Sequence, residues 1–462
     1  MVNTVDPVET GGDVLIALSA LDAVMSTYRV IVLYIYPPPS STAASFDLER
    51  LQRAFVTLVD EDYPVLVGAL HVDQKTGTVS VEQTPSARQQ GGGGIRFETN
   101  PSSSQATEDA AASLSWEFMP KPRTQGEIIA VKGSILADGG MAIGVDCSHV
   151  LFDGEAMLTF MRVWGQHFSG VDRHDRLVIN HERHLLSGNG ETHRLPHPEF
   201  QVAPAEPLVR RADGSLAPKA VAATPPKTSE HVFHLSPRNL ATLKETAEKA
   251  GRRRDRVLEA SAYISTLDAV TALFTILISR ARGHGKAVRV STAVNGRKRL
   301  EPPLPAHYSG NAVFHAISSH AAEDLEADGD LQDVVSAAAL ARVAHAVRAS
   351  ILERDDAFMR DTIAFLASQE DPSSINDNVN FFFGPDVAFT CWAKMGLYDA
   401  EFDDTRPHYA KIPRVQCMDG FVLITEAAKG DEGLDVLVCL EAGTLEALKT
   451  LSASVEFVQG SQ

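Results

Sequence analysis

The chain is short of the features that would narrow its role at once. Its 462 residues hold four cysteines, Cys147, Cys391, Cys417 and Cys439, with no C-x-x-C pair and no zinc-ligand spacing. That spacing excludes a disulfide framework and a structural metal, and it fits a reducing compartment in which each cysteine is a small buried hydrophobe. Positive charge is scarce too: 42 Lys and Arg stand against 60 Asp and Glu, a net charge of -18. Nucleic acid and anionic membranes both demand a basic surface, so neither is expected as a partner. Long hydrophobic runs are missing, the stretch 14–21 being short and interrupted, and residues 6–13 carry acids without Lys or Arg. Neither a signal peptide nor a membrane span is expected, and a cytoplasmic protein is. No G-x-S-x-G elbow occurs, which argues against a serine hydrolase, and no Lys-Ser/Thr follows the glycines at 91–94, which excludes a phosphate loop.

What is present is a globular composition, 44% hydrophobic and 22% charged, in a chain long enough for two or three domains. Residues 28–36 read as a strand, and 46–59 as a helix with Leu48, Leu51, Phe55 and Leu58 at helical spacing. The Gly-, Ser- and Thr-rich stretch 89–112 reads as a flexible loop. Residues 128–135 and 140–149 form a hairpin pattern around the turn at 137–140, followed by an amphipathic helix over 155–168. The Pro- and His-rich stretch 187–229 has no periodicity and reads as a crossover between an N-terminal domain, 1–186, and a C-terminal domain, 230–462. Beyond it come a strand at 231–235, a helix opened by Ser236 and Pro237, a basic loop with Arg252, Arg253, Arg254 and Arg256, and a long helix over 265–282. Strands alternate with helices in both halves, which predicts an α/β fold with mixed sheets flanked by helices.

The most informative stretch is Val145-Asp-Cys-Ser-His149-Val-Leu-Phe-Asp153-Gly154. It puts a histidine at a strand end, an aspartate four residues on and a glycine after it. The ordinary pKa of histidine lets it take a proton near neutrality and give it back within one cycle, which suits acyl transfer to a hydroxyl. Spacing alone decides little, because His320-Ala-Ala-Glu-Asp324 repeats it in a polar, acidic stretch with Leu325 in place of the glycine. Taken alone, His149 reads more readily as a buried structural histidine at a strand end.

Other blocks join it. Val294-Asn-Gly-Arg297-Lys-Arg299-Leu-Glu-Pro-Pro-Leu-Pro305, Tyr308-Ser-Gly-Asn311, Ser265-Thr266-Leu-Asp268-Ala269, and the set Thr390-Cys-Trp392, Leu397-Tyr398-Asp399 and Arg406-Pro407 follow in order. With His149 to Gly154 they resemble the H-x-x-x-D-G, N-x-R-x-R, Y-x-G-N, S-T-x-D-A and T-S-W blocks of the BAHD acyltransferases, within the chloramphenicol acetyltransferase-like fold. Trp392-Ala-Lys-Met-Gly-Leu397 is most similar to the fungal trichothecene acetyltransferase type, which implies a fungal source.

The resemblance implies two domains of that fold with a channel between them, acyl-CoA as co-substrate with acetyl-CoA as the default donor, a small hydroxylated acceptor, no metal, and a monomer. It implies His149 as general base, Asp153 turned away to pair with Arg297, and Thr390 as donor to the thioester oxygen, against the reading of an ordinary strand threonine. An Asp153 that orients the imidazole, as in a hydrolase triad, is the alternative. Ser265 and Thr266 would meet CoA phosphates at a helix start, and Arg252, Arg253 and Arg254 would reach its 3'-phosphate, or else form a solvated loop. Trp392 is assigned to packing, and Asn295 and Asn311 to backbone anchoring. One block departs: Glu401-Phe-Asp403-Asp404-Thr405 stands where the family has D-F-G-W-G, and its added carboxylates are unfavourable near a polyanion unless they point away or pair with Arg406 or Lys411. Two rivals remain, a member using a carrier-bound donor or catalysing a non-acyl reaction, and a non-catalytic binding protein that keeps the fold.

Overall fold

The computed structural model describes residues 8–10, 12–40, 45–73, 75–188, 190, 192–201, 208–210, 216–218, 226–254, 263–325, 334–413, 418–428 and 431–455. Two mixed sheets organise it. The first has five strands in the order Tyr409–Lys411, Arg29–Tyr36, Met141–Ser148, Ile129–Ile135 and Ile95–Asn100, all antiparallel neighbours except the last, parallel pair. The second has six, in the order Thr228–Leu235, Leu434–Glu441, Phe421–Glu426, Val387–Cys391, Val288–Asn295 and Val313–His320. Its two parallel pairings flank Val387–Cys391.

Helices cover each sheet because their apolar stripes need burial. Asp47 caps Leu48–Glu61 by accepting the Glu49 N–H, and Leu51, Phe55 and Leu58 of that helix are fully buried against the first sheet. Helix Gly154–Phe168 packs beside it, its Trp164 indole donating to the Leu51 carbonyl at 3.2 Å. On the second sheet, helix Thr266–Arg282 is buried almost all round beneath Ala337–Leu352 and Ala442–Ala453. It ends at Gly283, whose φ of +61° suits a residue without a Cβ.

Several expectations shift. The stretch 89–112 is not a loop throughout: it contains strand Ile95–Asn100 and helix Thr107–Ser113. Ile95 and Phe97 pack on the first core, while the Arg96 guanidinium is satisfied by Glu98 and Glu127, so local polarity hid a paired strand. Arg252, Arg253 and Arg254 close the helix Pro237–Arg254 and are not a loop; their side chains, and Arg256 altogether, lie outside the described residues. The chain also crosses back late. Leu397, Ala400, Phe402 and Ala410 join the first core, and Tyr409–Lys411 completes the first sheet although it lies far beyond the crossover. This return places the Trp392 segment between the halves. Among the described residues no helix is long and apolar enough to cross a membrane.

Candidate active site

His149 follows the last residue of strand Met141–Ser148, and its N–H donates to the Tyr28 carbonyl at 3.2 Å. Its ring meets the other half of the chain: Nδ1 lies 3.0 Å from Asn311 Oδ1. The Asn311 amide nitrogen donates to Asp22 Oδ1 at 2.9 Å and to the carbonyls of His149 and Val150 at 2.8 and 3.0 Å. A nitrogen facing three acceptors fixes which end of the amide is oxygen, so that oxygen accepts and His149 Nδ1 carries the hydrogen. Nε2 is left with a free lone pair. Burial lowers the pKa of His149, with Asp153 and the Asn311 bond opposing and the His315 imidazole adding to the fall. The ring is therefore a neutral base with one defined tautomer.

Behind Asn311 lies a buried charge pair. Asp22 is wholly buried on the short helix Ala20–Val24, where Ser19 and Asp22 form a capping box. Asp22 Oδ1 also accepts from Arg183 Nη1 and from the Asn311 backbone N–H, both at 3.0 Å. Arg183 continues to the carbonyls of Leu151 and Ser309. Gly310 is required beside it, since a Cβ there would come within 2.6 Å of Arg183 Nη1. The sequence reading had Asn311 as a backbone anchor, which it is; its bond to the ring of His149, and the parts of Asp22 and Arg183, were missed.

Asp153 does not orient the imidazole. Its oxygens take Arg297 Nη1 and Nη2 at 2.7 and 2.9 Å, with the N–H groups of Ala156 and Ala312 at 3.0 and 3.1 Å. Burial pushes this carboxyl up, but the Arg297 charge and these four donors outweigh it and hold it below the usual carboxylate range. The bond to Ala156 caps helix Gly154–Phe168, so one residue starts the helix and ties the loop after His149 to the second half. Arg297 is completed by the carbonyls of Tyr308 and Gly310. Asn295 joins them, accepting the Arg297 N–H and donating to Glu155. Gly154 has a separate reason to be glycine: a Cβ would lie 2.5 Å from Trp392 Nε1.

A cavity of about 630 Å³ opens between the halves, lined among others by Trp392, Leu423, Thr425, Leu437, His231 and Lys411. His149 is not among its lining residues; Trp392, seated on Gly154, connects the two places. Thr390 pairs in register with Leu423, so both point to the cavity side of the sheet, as does Trp392 two residues on. Ser265 caps Thr266–Arg282, its hydroxyl accepting the Asp268 N–H at 3.1 Å while Asp268 accepts the Ser265 N–H at 2.7 Å. That helix start thus already holds a carboxylate. Tyr263, just before it, lies under both Lys244 and Arg348.

Two of the three carboxylates of the altered block, Asp403 and Glu401, are paired. Asp403 binds Arg50 through both oxygens, at 2.5 and 2.7 Å, and Glu401 binds Arg406 at 2.8 Å. Asp403 and Asp404 have φ of +47° and +58°, the left-handed region that aspartate tolerates better than most residues. The decoy separates cleanly. His320 is buried at the end of the second sheet with Nε2 on Ser318 Oγ, and burial lowers its pKa to about 4. The one group of potential metal ligands among the described residues, Glu61, Asp62 and His167, already holds the Arg176 guanidinium.

Comparison with known proteins decides the family. Residues 2–453 match the Transferase family. The chain belongs to the Transferase family. Hydroxycinnamoyltransferase of Narcissus pseudonarcissus is 26% identical over 436 residues, 92% of each chain. An Avena sativa relative, hydroxycinnamoyl-CoA:5-hydroxyanthranilate N-hydroxycinnamoyltransferase, is 26% identical over 95% of each. The crystal structure of F. sporotrichioides TRI101 complexed with coenzyme A and T-2 has a TM-score of 0.73 at 14% identity, covering 96% of this chain and 99% of that one. The two-domain chloramphenicol acetyltransferase-like α/β fold is therefore the fold of this Transferase family member, and its activity is acyl-CoA-dependent acyl transfer.

Proposed function

We propose that this Transferase family enzyme acylates a hydroxyl of a small specialised metabolite, with acetyl-CoA as default donor and His149 as the single base. The observation that carries the reading is the Asn311 bond that leaves His149 Nε2 unprotonated. Nε2 takes the acceptor O–H proton as the oxygen attacks the thioester carbonyl; the C–S bond then breaks and the same nitrogen returns the proton to the CoA sulfur. No acyl-enzyme is needed. Thr390, on the cavity face, donates to the carbonyl oxygen as its charge grows. Asp153 and Arg297 hold the loop.

For the donor, Ser265, Thr266 and the arginines Arg252, Arg253 and Arg254 form the phosphate end, helped by Lys244 and Arg348 beside Tyr263. Domains 1–186 and 230–462, joined by 187–229 and laced by the return of Tyr409–Lys411, belong to the same proposal, as does action as a monomer. A hydroxycinnamoyl donor is the second reading, favoured by the names of the sequence relatives. Release of free thiol, measured with acetyl-CoA and coumaroyl-CoA across a panel of alcohols and amines, separates the two. No thiol release and no CoA binding by calorimetry would overturn both.

A further inference from the structure

One carboxylate beside His315 has no part in this reaction. Asp377 lies in the two-residue strand Asn376–Asp377, which pairs with Phe200–Gln201 within the crossover. Its side chain is only 16% exposed, yet among the described residues it accepts no hydrogen bond, and its ion-pair neighbour, His315 Nε2, stands 3.6 Å away. That exceeds hydrogen-bond reach. The His315 Nε2 is itself buried and without a hydrogen bond, while Nδ1 is engaged by Ser291 Oγ at 3.2 Å. The buried His315 Nε2 without a hydrogen bond costs free energy unless a ligand completes it, and the part-exposed Asp377 carboxylate beside it supplies a negative charge.

The pair belongs to the surroundings of the base. The Tyr28 carbonyl accepts the His149 N–H, and the Asp377 charge adds to burial in raising the pKa of the Tyr28 phenol. His315 acts on His149 in turn, and its strand, Val313–His320, begins two residues after Asn311. Neither Asp377 nor His315 lines the cavity that holds Trp392.

We propose that Asp377 and His315 form an acceptor-recognition subsite that takes a protonated amino group of the acceptor, held apart from the atom that is acylated. The inference rests on His149 being the base. A single nitrogen seated over the pair reaches both atoms at about 2.8 Å, since they are only 3.6 Å apart. An ammonium group brings three donors and a full charge to a carboxylate that accepts no hydrogen bond from the described residues. A hydroxyl brings one donor and no charge. The subsite thus selects amino alcohols or diamines over diols, because only the ammonium brings a charge to the Asp377 carboxylate while it donates to His315 Nε2.

Ligand-observed NMR on the full chain measures this directly, with aminobutanol and diaminobutane as probes and butanediol as the neutral isostere. Both amines are expected to bind about tenfold or more tighter than the diol, and Asp377→Asn to lose that margin while binding CoA as before. His315→Gln serves as a second variant, expected to weaken amine binding in the same direction. Equal binding of amines and diol, or unchanged amine binding in both variants, overturns the proposal. Calorimetric CoA binding and thiol release on the same preparations report the acyl-transfer reading separately, so the failure of one is not taken for the failure of the other.

Discussion

Asn311 accepts a hydrogen bond from His149 Nδ1 at 3.0 Å while its own amide donates to the His149 carbonyl at 2.8 Å, so one side chain fixes both the ring and the backbone of the residue. The aspartate of the motif, four residues from the histidine, plays no such part.

Replacing Asn311 by alanine therefore has a signed pH consequence. Burial holds the His149 pKa below its ordinary 6.5, so the free base already predominates at pH 6.5 and the acid limb of kcat/KM falls below that value. The Asn311 bond opposes burial and raises the pKa. Asn311→Ala is expected to lower kcat by about tenfold to a hundredfold as the tautomer is lost, and to move the acid limb further down, not up. A pH–rate series on the two proteins checks both.

Asp153→Ala leaves the buried Arg297 with only Glu155, whose Oε1 stands 3.9 Å from Nε, to offset its charge. The expected loss is about 3–5 kcal/mol of stability, with activity falling because the loop after His149 is no longer tied to the second half. Chemical denaturation measures it. Arg297→Met with Asp153→Leu, which removes both charges, is expected to recover a large part of the stability and little of the activity.

Gly154→Ala is expected to cost about 1–3 kcal/mol through contact with Trp392 alone, since glycine is not needed for backbone conformation there. The double variant with Trp392→Leu is expected to fold more stably than Gly154→Ala, which a thermodynamic cycle reads as coupling.

The altered block is expected to be neutral toward the donor. Because Arg50 already neutralises Asp403, Asp403→Asn should leave the KM for acyl-CoA within about twofold and, with the pair one-third exposed, change stability by under about 1 kcal/mol. Steady-state kinetics with acyl-CoA as the varied substrate tests it.

Much of this was legible because it is local. A histidine at a strand end, an aspartate that caps the next helix and a glycine at its first position write themselves into six consecutive residues. The Arg297 pairing was an expectation from the resemblance, and in the structure Asp153 takes both Arg297 Nη atoms. Asp22 and Arg183 left no comparable mark: Asp22 is 161 residues from Arg183 and 289 from Asn311, and its own segment shows only a local capping box with Ser19. Strand Ile95–Asn100 was hidden for a related reason. Its Arg96 is satisfied by Glu127 and by the Lys121 and Pro122 carbonyls, which composition alone does not pair with it.

The central claim is that His149 Nε2 moves the proton in both halves of acyl transfer. Single-turnover release of CoA thiol by His149→Ala, with its melting temperature and CoA affinity matched to the unaltered protein, tests it most directly. The account predicts a fall of about a hundredfold to ten-thousandfold in the transfer rate with donor binding retained. Transfer at the unaltered rate would contradict it.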